Sequence, residues 1–214
     1  MADARSVRRA PARARRSHAE RTAETRAKIL AAVVDSIAEV GFHRTTAVEI
    51  TRRAGVTWGA VQHHFGDKDG ILVAVLEDAF GRFAARLETI PIETLSLERR
   101  VAFFVERAFE HFTSREYVST FEILLDHLRR EDLPSRGGAG WQVQMLHAWD
   151  RVWRRFFGDA SLPRRRRLRL QHYTVAVLTG LATTLLLEGG DASLPREELA
   201  LLEATLVREL TQAD

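Results

Sequence analysis

The stretch TTAVEITRRAGVTWGAVQHHF, residues 45 to 65, is interrupted once, at Gly55, and on each side of that glycine the apolar residues recur at helical spacing. Thr46 and Glu49 stand in the Thr-x-x-Glu relation of a capping box, where each side chain takes up the other residue's free backbone N–H, so a helix is predicted to begin near Ala47. Ile50 and Ala54 lie four apart on one face, and Gly55 follows where a left-handed residue closes a helix without a Cβ clash. Thr57 is the expected N-cap of the next helix, with Val61 and Phe65 turned inward and Trp58, Gly59, Gln62 and His63 turned out. A pair of this kind presents its second helix to a DNA major groove, although two helices joined by a glycine turn also occur in helical proteins that bind no DNA.

The N-terminal residues of such a second helix come nearest the bases, which makes Thr57, Trp58, Gly59, Ala60, Gln62 and His63 the candidate readers. Gly59 lets the backbone approach closely. Gln62 can pair an adenine edge bidentately or donate to a phosphate, and Trp58 offers a ring to a thymine methyl or a sugar. His63 and His64 are neighbours about 100° apart on a helix and do not readily share a metal ion, so they read as recognition-helix residues.

From about Thr22 to Phe83 the chain resembles the DNA-binding domain of the TetR family of bacterial transcriptional regulators, through TRAKILAAVVDSIAEVGF, TTAVEITRRAGVTWGAVQHHF and DKDGILVAVL in that order. Gly41, Phe42, Thr46, Ala54, Gly55, Val56, Thr57, Gly59, His64, Phe65 and Lys68 answer the family pattern. The resemblance implies phosphate contacts near Thr25 at the first helix start, at Thr46 and at Lys68, with His64 in the recognition helix. It also implies a dimer built from the closing helices and a small-molecule effector. Gln62 departs from the pattern, standing where the family usually places a phosphate-contacting tyrosine.

A chain of 214 residues has room for this module and a larger second domain, and its five prolines and abundant Ala, Leu, Arg and Glu predict an all-α protein. The expected division is a basic arm over 1–21, the helix-turn-helix domain over 22–83, and a helical effector-binding and dimerisation domain over 84–214. The arm carries seven arginines against Asp3 and Glu20, and such a segment either neutralises phosphates or is a solvated tail. With no cysteine there are no disulfides and no thiolate metal sites. No apolar run follows the N-terminal arginines, and Tyr173 to Leu187 is shorter than the roughly 20 residues of a membrane span. A cytoplasmic protein without a membrane partner is expected.

Helix one is predicted from about Ala23 to Val40, with Thr22 and Thr25 in its first turn, and a fourth helix is predicted to start at an Asp67 cap. Stripes at Leu97 to Phe112 and Val118 to Leu128 mark two amphipathic helices, and loops are expected at Glu131–Gly140 and Gly158–Pro163. Phe104, Phe121, Trp141, Met145, Trp149 and Trp153 are candidate walls of an effector pocket, though such an aromatic stripe is more often plain core. His111, His127 and His147 are candidate polar contacts, and no pair has a metal spacing. Leu178, Leu181 and Leu185, with Leu199, Leu202 and Leu206, are the candidate dimer face of the last two helices.

The expected function is a homodimeric, sequence-specific regulator, a repressor released from a palindromic double-stranded operator by a small molecule. The alternative is a constitutive dimeric regulator whose second domain only dimerises or docks a protein. No catalytic set, cofactor site or metal site stands out in the sequence, so an enzyme is the remote third reading.

Overall fold

A computed structural model of the chain describes residues 17–129, 140–188 and 195–212, apart from the side chains of residues 127–129, 140–142 and 144. Residues 1–16 of the arm expected over 1–21, the greater part of the loop expected at Glu131–Gly140, and the side chains of His127 and Trp141 therefore lie outside the described residues, while residues 18–21 of that arm are helical. Nine α-helices and one 3-10 turn account for the regular structure among the described residues, with no strand.

Helix α1 (His18–Val40) begins five residues before the predicted start, because Ser17 and Glu20 form the capping box there. The Ser17 N–H donates to Glu20 Oε2 at 2.7 Å and the Glu20 N–H to Ser17 Oγ at 3.2 Å. Thr22 and Thr25 accordingly lie beyond the first turn, which corrects their placement. At Thr46 the box is only half made. Thr46 Oγ1 accepts from the Glu49 N–H at 3.3 Å, but the Glu49 carboxylate turns to Arg52 and Arg53.

Gly41, at φ +82°, turns the chain into a 3-10 segment (Phe42–Arg44), and α2 (Ala47–Ala54) follows. Gly55 is left-handed, at φ 66° and ψ 36°, and leads into α3 (Trp58–Phe65), capped by Thr57. Helix α4 (Lys68–Glu88) is capped by Asp67, whose Oδ1 accepts from the Gly70 N–H at 2.8 Å. The head's core joins Ile29, Val33 and Ile37 of α1 to Ile50 of α2, Val61 of α3 and Ile71 and Val75 of α4. Inside it, Ser36 and Thr45 hydroxyls meet at 3.0 Å and Thr45 donates to the Gly41 carbonyl, so both buried hydroxyls are satisfied.

The second domain comprises α5 (Leu97–Phe112), α6 (Arg115–Arg129), α7 (Gly140–Phe157), α8 (Arg164–Leu187) and α9 (Arg196–Thr211). Phe104, fully buried, packs its ring 5.2–5.7 Å from those of Trp149, Trp153, Phe156 and Phe157. The aromatic stripe of α7 is thus largely core. Arg100 of α5 donates to the Phe156 carbonyl at 2.6 Å and to Asp159 at 2.8 Å, tying α5 to the end of α7. Arg100 holds the Asp159 carboxyl below the usual carboxylate range.

Helix α6 belongs to both domains. Its Ile123 completes the head's core, the Ser119 hydroxyl lies 3.4 Å from the Val34 carbonyl, and the Phe42 N–H donates to Glu122 Oε2 at 2.9 Å. Glu39 of α1 meets Arg53 of α2 at 2.7 Å and Arg115 of α6 at 3.6 Å. Arg82 of α4 bridges to Asp78 and to Glu116 of α6.

Of the leucines expected at a dimer face, Leu178, Leu202 and Leu206 are buried inside the chain and cannot meet a partner, a correction with a simple cause. Leucine periodicity marks the face that packs inward first. Leu181, Leu185 and Leu199 are half-buried against the same core. The outward stripe of α8 is instead His172, Tyr173, Ala176, Gly180, Thr183, Thr184 and Leu187, and that of α9 includes Ala200, Leu201 and Ala204. Helix α8 meets the length and composition of a membrane span, but its inner face is part of the second domain's core.

Candidate nucleic-acid interface and adjoining cavity

The outer face of α3 carries Thr57, Gly59, Gln62 and His63, all exposed. Thr57 caps the helix by accepting the Ala60 N–H at 3.3 Å, and its hydroxyl proton stays available for an outside acceptor. Nothing inside the chain requires glycine at 59, because a Cβ there would have Thr57 Oγ1 as its nearest neighbour at 3.9 Å. A glycine inside a helix costs about 1 kcal/mol relative to alanine, so this one is best explained by what approaches from outside.

Trp58 departs from expectation. It is half-buried and packs against the head's core, so its indole braces α3 more than it faces a groove. Ala60 and His64 are also half-buried, His64 with its ring 6.0 Å from that of Phe65. Thr25 is half-buried in the second turn of α1, and Thr46 is exposed at the start of α2. Lys68 opens α4 with Nζ 5.3 Å from the Phe42 ring centroid, which fixes the ammonium beside the helix start, where the dipole also favours an anion.

Sequence reasoning passed over Val48, which is 76% exposed on α2, because an isolated valine on a short helix gives no signal. It also missed the role of Arg26, whose guanidinium covers the Phe65 ring at 4.7 Å. Glu49 is held down to a pKa of about 2, chiefly by its hydrogen bond from Arg52 and then by that from Arg53, so the two arginines are neutralised along α2.

A cavity of about 290 Å³ opens between α4, α5, α6 and α7. Phe121 and Met145 line it, whereas Phe104, Trp149 and Trp153 are core residues outside its wall. The remaining wall includes Glu77, Phe80, His111, Tyr117, Thr120 and His147. His111 stacks on Phe83 at 4.1 Å and 16°, and Phe83 stacks in turn on Trp149 at 5.8 Å. Burial, with Arg86 nearby, lowers the His111 pKa to about 4. Its Nδ1 and the Trp149 Nε1 are buried without a hydrogen-bond partner. Among the described residues no group of three or more His, Cys, Asp or Glu is arranged to hold a metal.

Residues 29–75 match the family model described as bacterial regulatory proteins, tetR family. The HTH-type transcriptional regulator BetI of Klebsiella pneumoniae (strain 342) is 45% identical over 53 residues, which are 25% of this chain and 27% of that protein. BetI of Escherichia coli O17:K52:H18 is 35% identical over 89 residues, 40% of this chain and 45% of that protein. The chain thus matches less than half the length of these curated relatives.

Among solved structures, the transcriptional regulator FadR from Bacillus subtilis in complex with stearoyl-CoA superposes with a TM-score of 0.63 at 18% identity, covering 88% of this chain and 99% of that one. At that identity the likeness is one of fold, and it extends through the second domain. The exposed face of α3, the left-handed turn at Gly55 and the match over residues 29–75 together identify this head as a helix-turn-helix, DNA-binding domain of the tetR family of bacterial regulatory proteins.

Proposed function

We propose that the chain is a homodimeric repressor that holds a palindromic operator through two α3 helices and releases it when a small molecule occupies the α4–α7 cavity. The observation that carries this reading is the position of α6. Its Tyr117, Thr120, Phe121 and Leu124 line the cavity, while its Ser119, Glu122 and Ile123 are bonded to or packed into the head. A ligand that shifts α6 therefore changes the seating of α1 and the 3-10 turn. Helix α4, which also borders the cavity, carries the same signal to the α3–α4 junction.

Dimerisation uses the outward stripe of α8 and α9. Leu187 is 84% exposed and Leu201 67%, and Ala176, Gly180, Ala200 and Ala204 let a second copy's helices come close. Half-sites about one helical turn apart, roughly 34–36 Å, suit such a dimer. Thr57, Gly59, Gln62 and His63 face the bases, Thr46 and Lys68 face phosphates, and the protein works in the cytoplasm on chromosomal DNA.

Selection of bound duplexes from a random pool, followed by a competition screen of small molecules against the selected site, tests the proposal. A palindromic consensus and a compound that lowers affinity for it are expected. The tight aromatic packing around Phe104 favours one rival, a constitutive dimer without effector. A consensus that no compound displaces would favour that rival.

A further inference from the structure

We propose that the α4–α7 cavity takes an uncharged aromatic alcohol or phenol, with its hydroxyl hydrogen-bonded to the His111 imidazole and its ring among Phe80, Tyr117 and Phe121. This rests on the cavity being the effector site and goes further by assigning the chemistry it accepts.

His111 is the polar group that most needs a partner. Its residue is 6% exposed, its side chain makes no hydrogen bond among the described residues, and its ring stands between the main cavity and a second one of about 280 Å³. A buried polar group left unpaired costs about 1–3 kcal/mol, so a ligand that supplies the bond recovers stability the free protein lacks. Stacking on Phe83 fixes the ring plane and leaves rotation of the imidazole little room.

The charge of the site selects against ions. Burial keeps His111 neutral at physiological pH, so it offers no counterion to a carboxylate and no negative charge to an ammonium. Two neutral hydroxyls in the wall are already engaged: that of Thr120 donates to the Tyr117 carbonyl at 2.8 Å, and that of Tyr117 is hydrogen-bonded to Thr179 of α8. The wall's remaining titratable members, Glu77, His147 and Arg151, are of mixed sign; His147 is exposed, and Arg151 is 64% exposed with Glu88 at 3.7 Å. An ion carried inward past them loses hydration without a matching partner. A hydroxyl donates or accepts, and so satisfies the imidazole in either tautomer. The aromatic walls favour a flat body, and the cavity volume falls at the lower end of ligand sites, which suits a single substituted ring.

The test uses the full chain without DNA and four probes of one shape: 4-propylphenol, propylbenzene, 4-propylbenzoate and 4-propylbenzylamine, titrated calorimetrically at pH 7.5. The phenol is expected to bind about tenfold more tightly than each of the others. In His111→Phe, which keeps the stack and removes the hydrogen bond, the phenol falls to the level of propylbenzene, and propylbenzene itself changes little. Should that variant not fold, the ranking of the four probes on the natural chain decides alone. Equal or tighter binding of the benzoate or the benzylamine, binding by none of the four, or a phenol preference unchanged in a folded His111→Phe overturns the proposal.

Operator release is scored separately. A phenol that ranks first yet leaves the operator complex intact keeps the ligand class and removes the effector reading. A charged probe that ranks first and releases the operator does the reverse.

Discussion

The Phe42 N–H donates to the Glu122 carboxylate at 2.9 Å, across eighty residues of sequence and from the DNA-reading head to a helix of the second domain. Phe42 is also the ring beneath the Lys68 ammonium, so this one bond seats the 3-10 turn, the start of α4 and the middle of α6 together. Glu122→Ala should lower the unfolding free energy by about 1–3 kcal/mol, the cost of removing the half-buried carboxylate that accepts from the N–H of buried Phe42, whereas Glu122→Gln, which keeps an acceptor, should lose less. Urea titrations of the two variants check this; equal stability of Glu122→Ala and the natural chain would sink it.

Two glycines in the head predict opposite behaviour. A Cβ at Gly70 would lie 2.0 Å from the Phe65 carbonyl oxygen, so Gly70→Ala must displace the α3–α4 junction and should destabilise the fold by about 1–3 kcal/mol. Gly59 has open space around it. Gly59→Ala should leave stability equal or raise it by up to about 1 kcal/mol. It should nevertheless weaken operator binding if the proposed DNA face of α3 is the reading face, because the added methyl stands on that face. Thermal melts paired with operator titrations separate the two effects, and unimpaired DNA binding by Gly59→Ala would move the contact away from this turn of α3.

Gln62 and Lys68 should differ in kind. Gln62→Ala is expected to change which duplexes are selected, by about 1–3 kcal/mol at the base it contacts. Lys68→Ala should weaken all duplexes alike and reduce the slope of log affinity against log salt by about 1. Affinities measured over a salt series on two unrelated duplexes distinguish them.

His111 gives the fold a pH dependence of known sign. Its folded pKa, about 4, lies below the ordinary 6.5, so the unfolded chain binds the proton more readily. The stability associated with this group is complete above 6.5 and is lost as pH falls towards 4, amounting to about 2 kcal/mol between pH 7 and pH 5. His111→Phe should remove that part of the slope, which denaturant titrations at the two pH values can read directly.

The outer face of α8 and α9 should govern association and the inner face stability. Leu201→Glu is expected to yield monomers in sedimentation velocity with little change in melting. Leu206→Ala, inside the core, should cost about 2–5 kcal/mol. A dimer unaffected by Leu201→Glu would place the interface elsewhere.

Much of this architecture is legible in the sequence because it depends on local chemistry. The left-handed Gly55 and the Thr57 and Asp67 caps follow from residues within a turn of one another. What depends on distant packing is not. Ser17 and Glu20 look like the end of a basic tail, yet they start α1. A periodic tryptophan or leucine announces burial without saying in which compartment, so Trp149 and Trp153 read as core or as wall, and Leu202 and Leu206 as interface or as interior. Tyr117 and Glu77 carry no mark of a cavity until α4 and α6 are set side by side.

Ile123 gives the head a debt to the second domain that its sequence boundary conceals. A chimera that grafts this head onto another protein's second domain by cutting after Phe83 would leave a hole in the head's core where Ile123 packs. It would also leave the Phe42 amide without its carboxylate. Transplanting the head of this protein therefore requires carrying along one edge of α6, at Ser119, Glu122 and Ile123, so that it arrives with the piece of the second domain against which it is built.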